Sequence, residues 1–232
     1  MAFLQSPGNQ PFLRAPAIVL WLIALLIGIF AVQTFLTPAQ NAAIYAEYGF
    51  TPAHYSHAYV AQTGYSPGNL LERALPFVSY IFLHGSWSHV LINSVWLLAF
   101  GPVVARRFGT PLFFTFFLAC GIAAAATHLA IFWGSTDPVV GASGSISGLM
   151  GAAFRMMPFE EGREGERLAP LLSRRILVWS LIWAVVNVIA GVTGLGTGGG
   201  PQVVAWGAHL GGYAAGLLLA GPVDRISFRP HQ

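Results

Sequence analysis

The chain alternates long apolar runs with short polar breaks. Six runs approach the ~20 residues that a helix needs to cross ~30 Å of hydrocarbon. They are Ala17–Leu36, Ser88–Ala105, Pro111–Trp133, Ser143–Met157, Ile176–Val192 and Val203–Ala220. Inside a bilayer each segment must satisfy its own backbone hydrogen bonds, so runs of this length predict helices. A barrel would show ~10-residue stretches of alternating polarity, and none occurs. The first run exceeds the roughly 7–15-residue apolar core of a secretory signal and is read as a retained helix. The pattern predicts an all-α membrane protein with a six-helix membrane domain over residues 17–221. Short segments at 1–16 and 222–232 flank it, and a long external loop spans about 37–75. No internal repeat or separate soluble domain is expected.

Composition changes the picture by excluding a soluble domain. The 232 residues are 55% hydrophobic and only 8% charged, where a soluble domain carries about a quarter charged residues. The lipid bilayer is therefore the expected solvent. No nucleic-acid partner is expected. Orientation follows from the basic residues, all of which are arginine. With six spans, both termini share a side with Arg14, Arg106, Arg107, Arg155, Arg163, Arg167, Arg174, Arg175, Arg225 and Arg229. Only Arg73 falls opposite. Basic residues concentrate in cytoplasmic loops, so both termini are predicted to be cytoplasmic. All-arginine usage with abundant alanine and glycine points to a GC-rich bacterial genome, and hence to a multi-pass protein of the bacterial inner membrane.

The loops differ in character. Glu160–Arg167 is a charged connection predicted on the cytoplasmic side, and Gly194–Gly200 is a glycine-rich external loop. Residues 37–75 hold five of the seven tyrosines. Tyrosine favours the membrane–water interface, so this loop is expected on or in the outer leaflet. The lone cysteine, Cys120, sits in an apolar run, which leaves no disulfide framework or cysteine-based metal site. Neither a metal nor a cofactor is expected.

Polar groups inside apolar spans are costly and mark candidate functional sites. Four stand out: His89 and Asn93 in the second span, Ser143 opening the fourth, and His209 in the sixth. These spans all run from outside to inside, and each residue falls in the first part of its span. At about 1.5 Å per residue in a ~30 Å core, Ser143, His209, His89 and Asn93 come out roughly 8, 9, 5 and 10 Å deep. The four can therefore meet. His89 and Asn93 share a helical face, as do Ser143 and Ser147, whereas Ser145 points elsewhere. Gly144, Gly148 and Gly151 thin the fourth helix, and Ala208, Gly212 and Gly216 thin the sixth. Small residues at such spacing let membrane helices approach closely, as a serine must to reach an imidazole on another helix. Taken singly, each feature reads as helix packing, and His128 in the third span is read that way. Their conjunction at one depth points to chemistry.

At these residues the sequence resembles the rhomboid family of intramembrane serine proteases. The carriers are His84-x4-His89-x3-Asn93, Gly141-Ala142-Ser143-Gly144 and Ala208-His209-x2-Gly212-x3-Gly216. Gly101 and Arg107-x-Gly109 add to them, and the resemblance runs from about Leu71 to Ala220. It implies a six-helix rhomboid-like bundle with Ser143 as nucleophile and His209 as general base, a dyad without an acid. No Asp or Glu falls within a predicted span, and Asp137 sits in the loop before Ser143. The resemblance also implies that His89, Asn93 and the Ser143 N–H stabilise the oxyanion. Gly141, Gly144, Gly148, Gly212 and Gly216 are expected to be packing glycines near the site. Ser147 stands where some relatives carry an aromatic that packs on the catalytic histidine, and Ala105 where some have a glutamate.

The expected activity is serine endopeptidase cleavage of transmembrane substrates near the outer leaflet. The alternative is a catalytically silent rhomboid-like protein that binds membrane clients. A small transporter would need polar groups along the full depth, but the inner half of the predicted bundle is apolar. Substrate identity and oligomeric state are left open by the sequence.

Overall fold

The computed structural model describes residues 15–66, 68–157, 168–193 and 205–227. The expected loops Glu160–Arg167 and Gly194–Gly200 lie outside the described residues, as do most of segment 1–16 and residues 228–232. Among the described residues the secondary structure is helical, apart from one isolated antiparallel bridge between Phe50 and Val139.

Helix α1 (Ala17–Gln33) is followed by α2 (Pro38–Tyr48), α3 (His57–Thr63), α4 (Leu70–Ala74) and α5 (Pro76–Ser79), with short 3-10 turns at Pro52–Tyr55 and Tyr80–Phe82. Then come α6 (Trp87–Ile131), α7 (Ser143–Met156), α8 (Arg174–Thr193) and α9 (Trp206–Ser227). Two predicted spans are thus a single element, α6, broken where Gly109 takes φ 73° and ψ 166°. Residues 89 and 128 would lie about 60 Å apart on a straight helix. They line one cavity, so α6 is a hairpin. Pro111 sits in the first turn of the returning arm, where its missing N–H costs no hydrogen bond.

By length and composition α6 and α8 are apolar enough to cross a membrane, and α1 is a shorter apolar helix. The centre of the bundle is α6, α7 and α9 packed on one another, with α1 against α6 and α8 mainly along α9. Every residue of α7 from Gly144 to Ala153 is buried. In α8 only Ile176, Asn187 and Gly191 are. Helix α7 is therefore the axis of the molecule and α8 an outer stave.

One end of the bundle is rich in arginine. Arg107 forms a two-pronged ion pair with Asp224, its Nη2 lying 2.9 Å from Oδ2. Arg155 donates to the carbonyls of Ala169 and Leu217, and Arg175 to that of Phe154. Of these carbonyls, that of Phe154 lies in the last turn of α7, where no intrahelical donor remains. Met156, at the C-terminal end of α7, reaches this arginine-rich level, whereas Ser143 opens the same helix at the far end.

The long segment between α1 and α6, expected only as a loop at the interface, is built from short helices and packs into the protein. Its tyrosines are used largely for internal contacts. Tyr45 Oη donates to the His84 carbonyl at 2.8 Å, Tyr55 stacks on Phe50, and fully buried Tyr80 donates to the Gly121 carbonyl at 2.8 Å.

Candidate active site

Ser143 begins α7 after a lead-in that the first loop holds in place. Val139 and Phe50 exchange backbone hydrogen bonds of 3.0 and 2.8 Å, and Ala53 N–H donates to Ser135 O. Closer in, Gly141 N–H donates to Tyr80 O at 2.9 Å. Gly141 has φ +119°, and a β-carbon there would sit 2.7 Å from His89 Nε2. Only glycine combines that backbone with so close an imidazole. Ser143 stands at the first position of its helix, so its N–H is among those without an intrahelical acceptor.

His209 comes from the first turn of α9. Its Nε2 lies 2.7 Å from Ser143 Oγ, a distance at which a hydroxyl and an imidazole can exchange a proton. Backbone contact between α7 and α9 makes this possible. A β-carbon on Gly212 would run into the Gly144 carbonyl, and one on Gly216 into that of Gly148. The other ring nitrogen, Nδ1, lies 2.7 Å from Oδ1 of Asn187 on α8. Asn187 Nδ2 in turn donates to Trp206 O at 3.0 Å.

His89 and Asn93 lie on the face of α6 turned toward Gly141. Ser86 caps the helix, its Oγ accepting from His89 N–H at 3.2 Å, which fixes the first turn that carries the imidazole. Asn93 is 3% exposed, yet its Nδ2 has no hydrogen-bond partner, and neither has His89 Nδ1. Buried polar atoms without partners are costly, and both side chains line the cavity that also holds Ser143. His84 is fully buried, and its ring packs edge-on to His89 at 5.0 Å.

Ser143, His209, His89, Asn93 and Asn187 line a common cavity of about 710 Å³. Ser147 faces it too, while Ser145 is buried against Gly121. His128 packs on Phe132 with ring centroids 4.6 Å apart and also borders the cavity. Asp137 reaches the rim, but among the described residues no hydrogen bond joins it to His209. The described residues contain no group of three His, Cys, Asp or Glu placed to hold a metal.

The structure therefore brings together all four polar residues singled out from the sequence, with the five glycines around them. Asn187 was missed. The rule that flagged Asn93 applies equally to a carboxamide inside the apolar run of α8. Asn187 lies in the fifth span, outside the depth comparison of the second, fourth and sixth. The roles of Tyr80 and Phe50 had no sequence signal, since both act across more than forty residues.

The family model described as "Rhomboid domain" matches residues 71–224. The chain is also similar to the protein named "Putative rhomboid protease YdcA" of Bacillus subtilis (strain 168). The two are 26% identical over 201 residues, covering 83% of this chain and 90% of the relative.

Proposed function

The chain belongs to the rhomboid family, a family of membrane-embedded serine proteases acting on transmembrane substrates, and from that membership we propose that it is an active intramembrane serine endopeptidase. The observation that carries this reading is the 2.7 Å contact between Ser143 Oγ and His209 Nε2. The partnerless polar atoms of the same cavity support the reading further.

His209 Nε2 takes the Ser143 proton as Oγ attacks the carbonyl of a substrate segment unwound into the cavity. The oxyanion is met by the Ser143 N–H, His89 and Asn93. Donors fixed in advance where charge develops are worth several kcal/mol of barrier, because nothing reorganises as the charge appears. His209 then passes its proton to the leaving amine, which frees the C-terminal fragment and leaves an acyl ester on Ser143. Water deprotonated by His209 hydrolyses the ester and restores the hydroxyl.

We further assign six membrane spans: α1, the two arms of α6, α7, α8 and α9. Both termini then lie in the cytoplasm and the site in the outer half of the bacterial inner membrane. The arginine-rich end opposite Ser143 supports this orientation. Helix α7, at 14 residues, covers only about 21 Å, which supports a serine recessed below the outer surface.

The test uses purified protein in lipid, with a transmembrane reporter and a fluorophosphonate probe. Wild type cleaves the reporter and is labelled at Ser143, and Ser143→Ala does neither while retaining its fold. Undiminished cleavage by Ser143→Ala overturns the assignment. A folded wild type that neither cleaves nor is labelled favours the catalytically silent, client-binding alternative.

A further inference from the structure

We propose that Asn187 is the positioning residue of the general base: it selects the His209 tautomer and holds the ring on line with Ser143. The inference rests on the proposed serine–histidine mechanism and supplies the orienting partner that a dyad without an acid leaves unspecified.

The hydrogen-bond pattern fixes the proton. Trp206 O can only accept, so the Asn187 atom facing it at 3.0 Å must be the NH₂ group. The carboxamide is thereby oriented with Oδ1 toward His209, 2.7 Å from Nδ1. Oδ1 can only accept, so Nδ1 carries the hydrogen. In the neutral ring the lone pair is then on Nε2, which faces Ser143 Oγ at 2.7 Å. That is the tautomer a general base needs. Each assignment follows from an obligate acceptor, starting at a backbone carbonyl.

The scaffold around Asn187 is built for this alignment. Ser180, Trp183, Asn187 and Gly191 form one stripe of α8 directed at α9. The Ser180 hydroxyl is 2.8 Å from Tyr213 Oη, and Trp183 stacks on the Tyr213 ring at 4.4 Å. Gly191 admits Trp206 so closely that a β-carbon would meet its ring. These contacts set the register of α8 on α9 above and below Asn187, which is 8% exposed. A carboxylate would also accept from His209 Nδ1, but it would bury a charge among apolar helices and lose the hydrogen bond to Trp206 O. The carboxamide supplies the acceptor without that cost. It also makes unnecessary a ring at position 147, one turn past the nucleophile.

The experiment compares wild type, Asn187→Leu, Asn187→Asp and Ser143→Ala in lipid, reading reporter kcat and KM and the rate at which the fluorophosphonate labels Ser143. Leucine keeps the volume and removes the acceptor; aspartate restores an acceptor at the same reach. A ring misplaced by about 1 Å costs about 10²-fold in rate. Asn187→Leu is therefore expected to lose about that factor in kcat and in labelling, with KM nearly unchanged. Asn187→Asp is expected to recover part of both, since it restores the acceptor for His209 but sets an oxygen against the Trp206 carbonyl. Labelling of Asn187→Leu at the wild-type rate overturns the inference while leaving the protease reading intact. So does an Asn187→Asp variant as slow as Asn187→Leu, since a purely structural role gives no rescue by the acceptor. A folded wild type that the probe does not label overturns both.

Discussion

Gly212 of α9 lies against Gly144 of α7 so closely that a β-carbon on the former would meet the carbonyl oxygen of the latter. Each residue is one turn or less from a member of the pair Ser143–His209. The distance between Ser143 and His209 is thus set by backbone packed on backbone. In a bilayer, where lipid tails are as apolar as leucine, such close approach is the main source of helix association.

Substituting Gly212 by alanine should therefore act on stability and chemistry together. Overpacking a tight contact costs about 1–3 kcal/mol, and parting α7 from α9 lengthens the hydrogen bond between Ser143 and His209. The expected outcome is a lower unfolding midpoint in detergent together with slower fluorophosphonate labelling. Labelling at the wild-type rate would show that the seam does not set the distance.

In the proposed mechanism His89 and Asn93 act on the developing oxyanion. Asn93→Ala is expected to lower kcat by about 10²-fold or more, as removal of one oxyanion donor does elsewhere. His89→Ala should have a comparable effect. Because the oxyanion exists only after attack, KM should move little. Steady-state cleavage of a transmembrane reporter checks this, and a change in KM with kcat unchanged would place both residues in substrate binding instead.

Gly141→Ala should be harmful for a local reason. A β-branch-free residue still pays about 1–3 kcal/mol to be held in a region of backbone space that L-residues avoid, and this one also pushes on His89, 2.7 Å away. The expected result is reduced thermal stability with activity lost more steeply than stability. A variant with wild-type turnover would show that the His89 ring can move aside freely.

Tyr80→Phe removes the buried hydroxyl that donates to the Gly121 carbonyl of α6. Gly121 O keeps its bond within the helix, so the loss is that of one hydrogen bond, about 0.5–1.5 kcal/mol. Since Tyr80 O also accepts from Gly141 N–H, the lead-in to Ser143 should loosen. The prediction is an unfolding shift of that size with a smaller fall in kcat, measured by thermal denaturation and reporter cleavage side by side.

Much of the site was legible because lipid makes polar groups conspicuous. His89, Asn93, Ser143 and His209 stand in predominantly apolar runs, and the constant rise of a helix converts position into depth. Asn187 was equally conspicuous, but its meaning was not. It lies on a helix predicted to run the other way, and its function resides in two hydrogen bonds to α9. The short helices between residues 38 and 82 were illegible for a different reason. They are too brief for a hydrophobic period, and their tyrosines fit an interfacial loop as well as the internal contacts found.

The sequence by itself determined the helical membrane class, the four polar residues His89, Asn93, Ser143 and His209 as the candidate site, and the glycines that let their helices meet. These follow from composition and from spacing along single helices, where a local rule governs geometry. Tertiary structure alone decided that the first loop steers the chain into Ser143 and that Asn187 faces His209. Each of these joins residues distant in the chain through hydrogen bonds or contacts a few ångströms long, and such short-range forces leave no periodic trace in the order of amino acids.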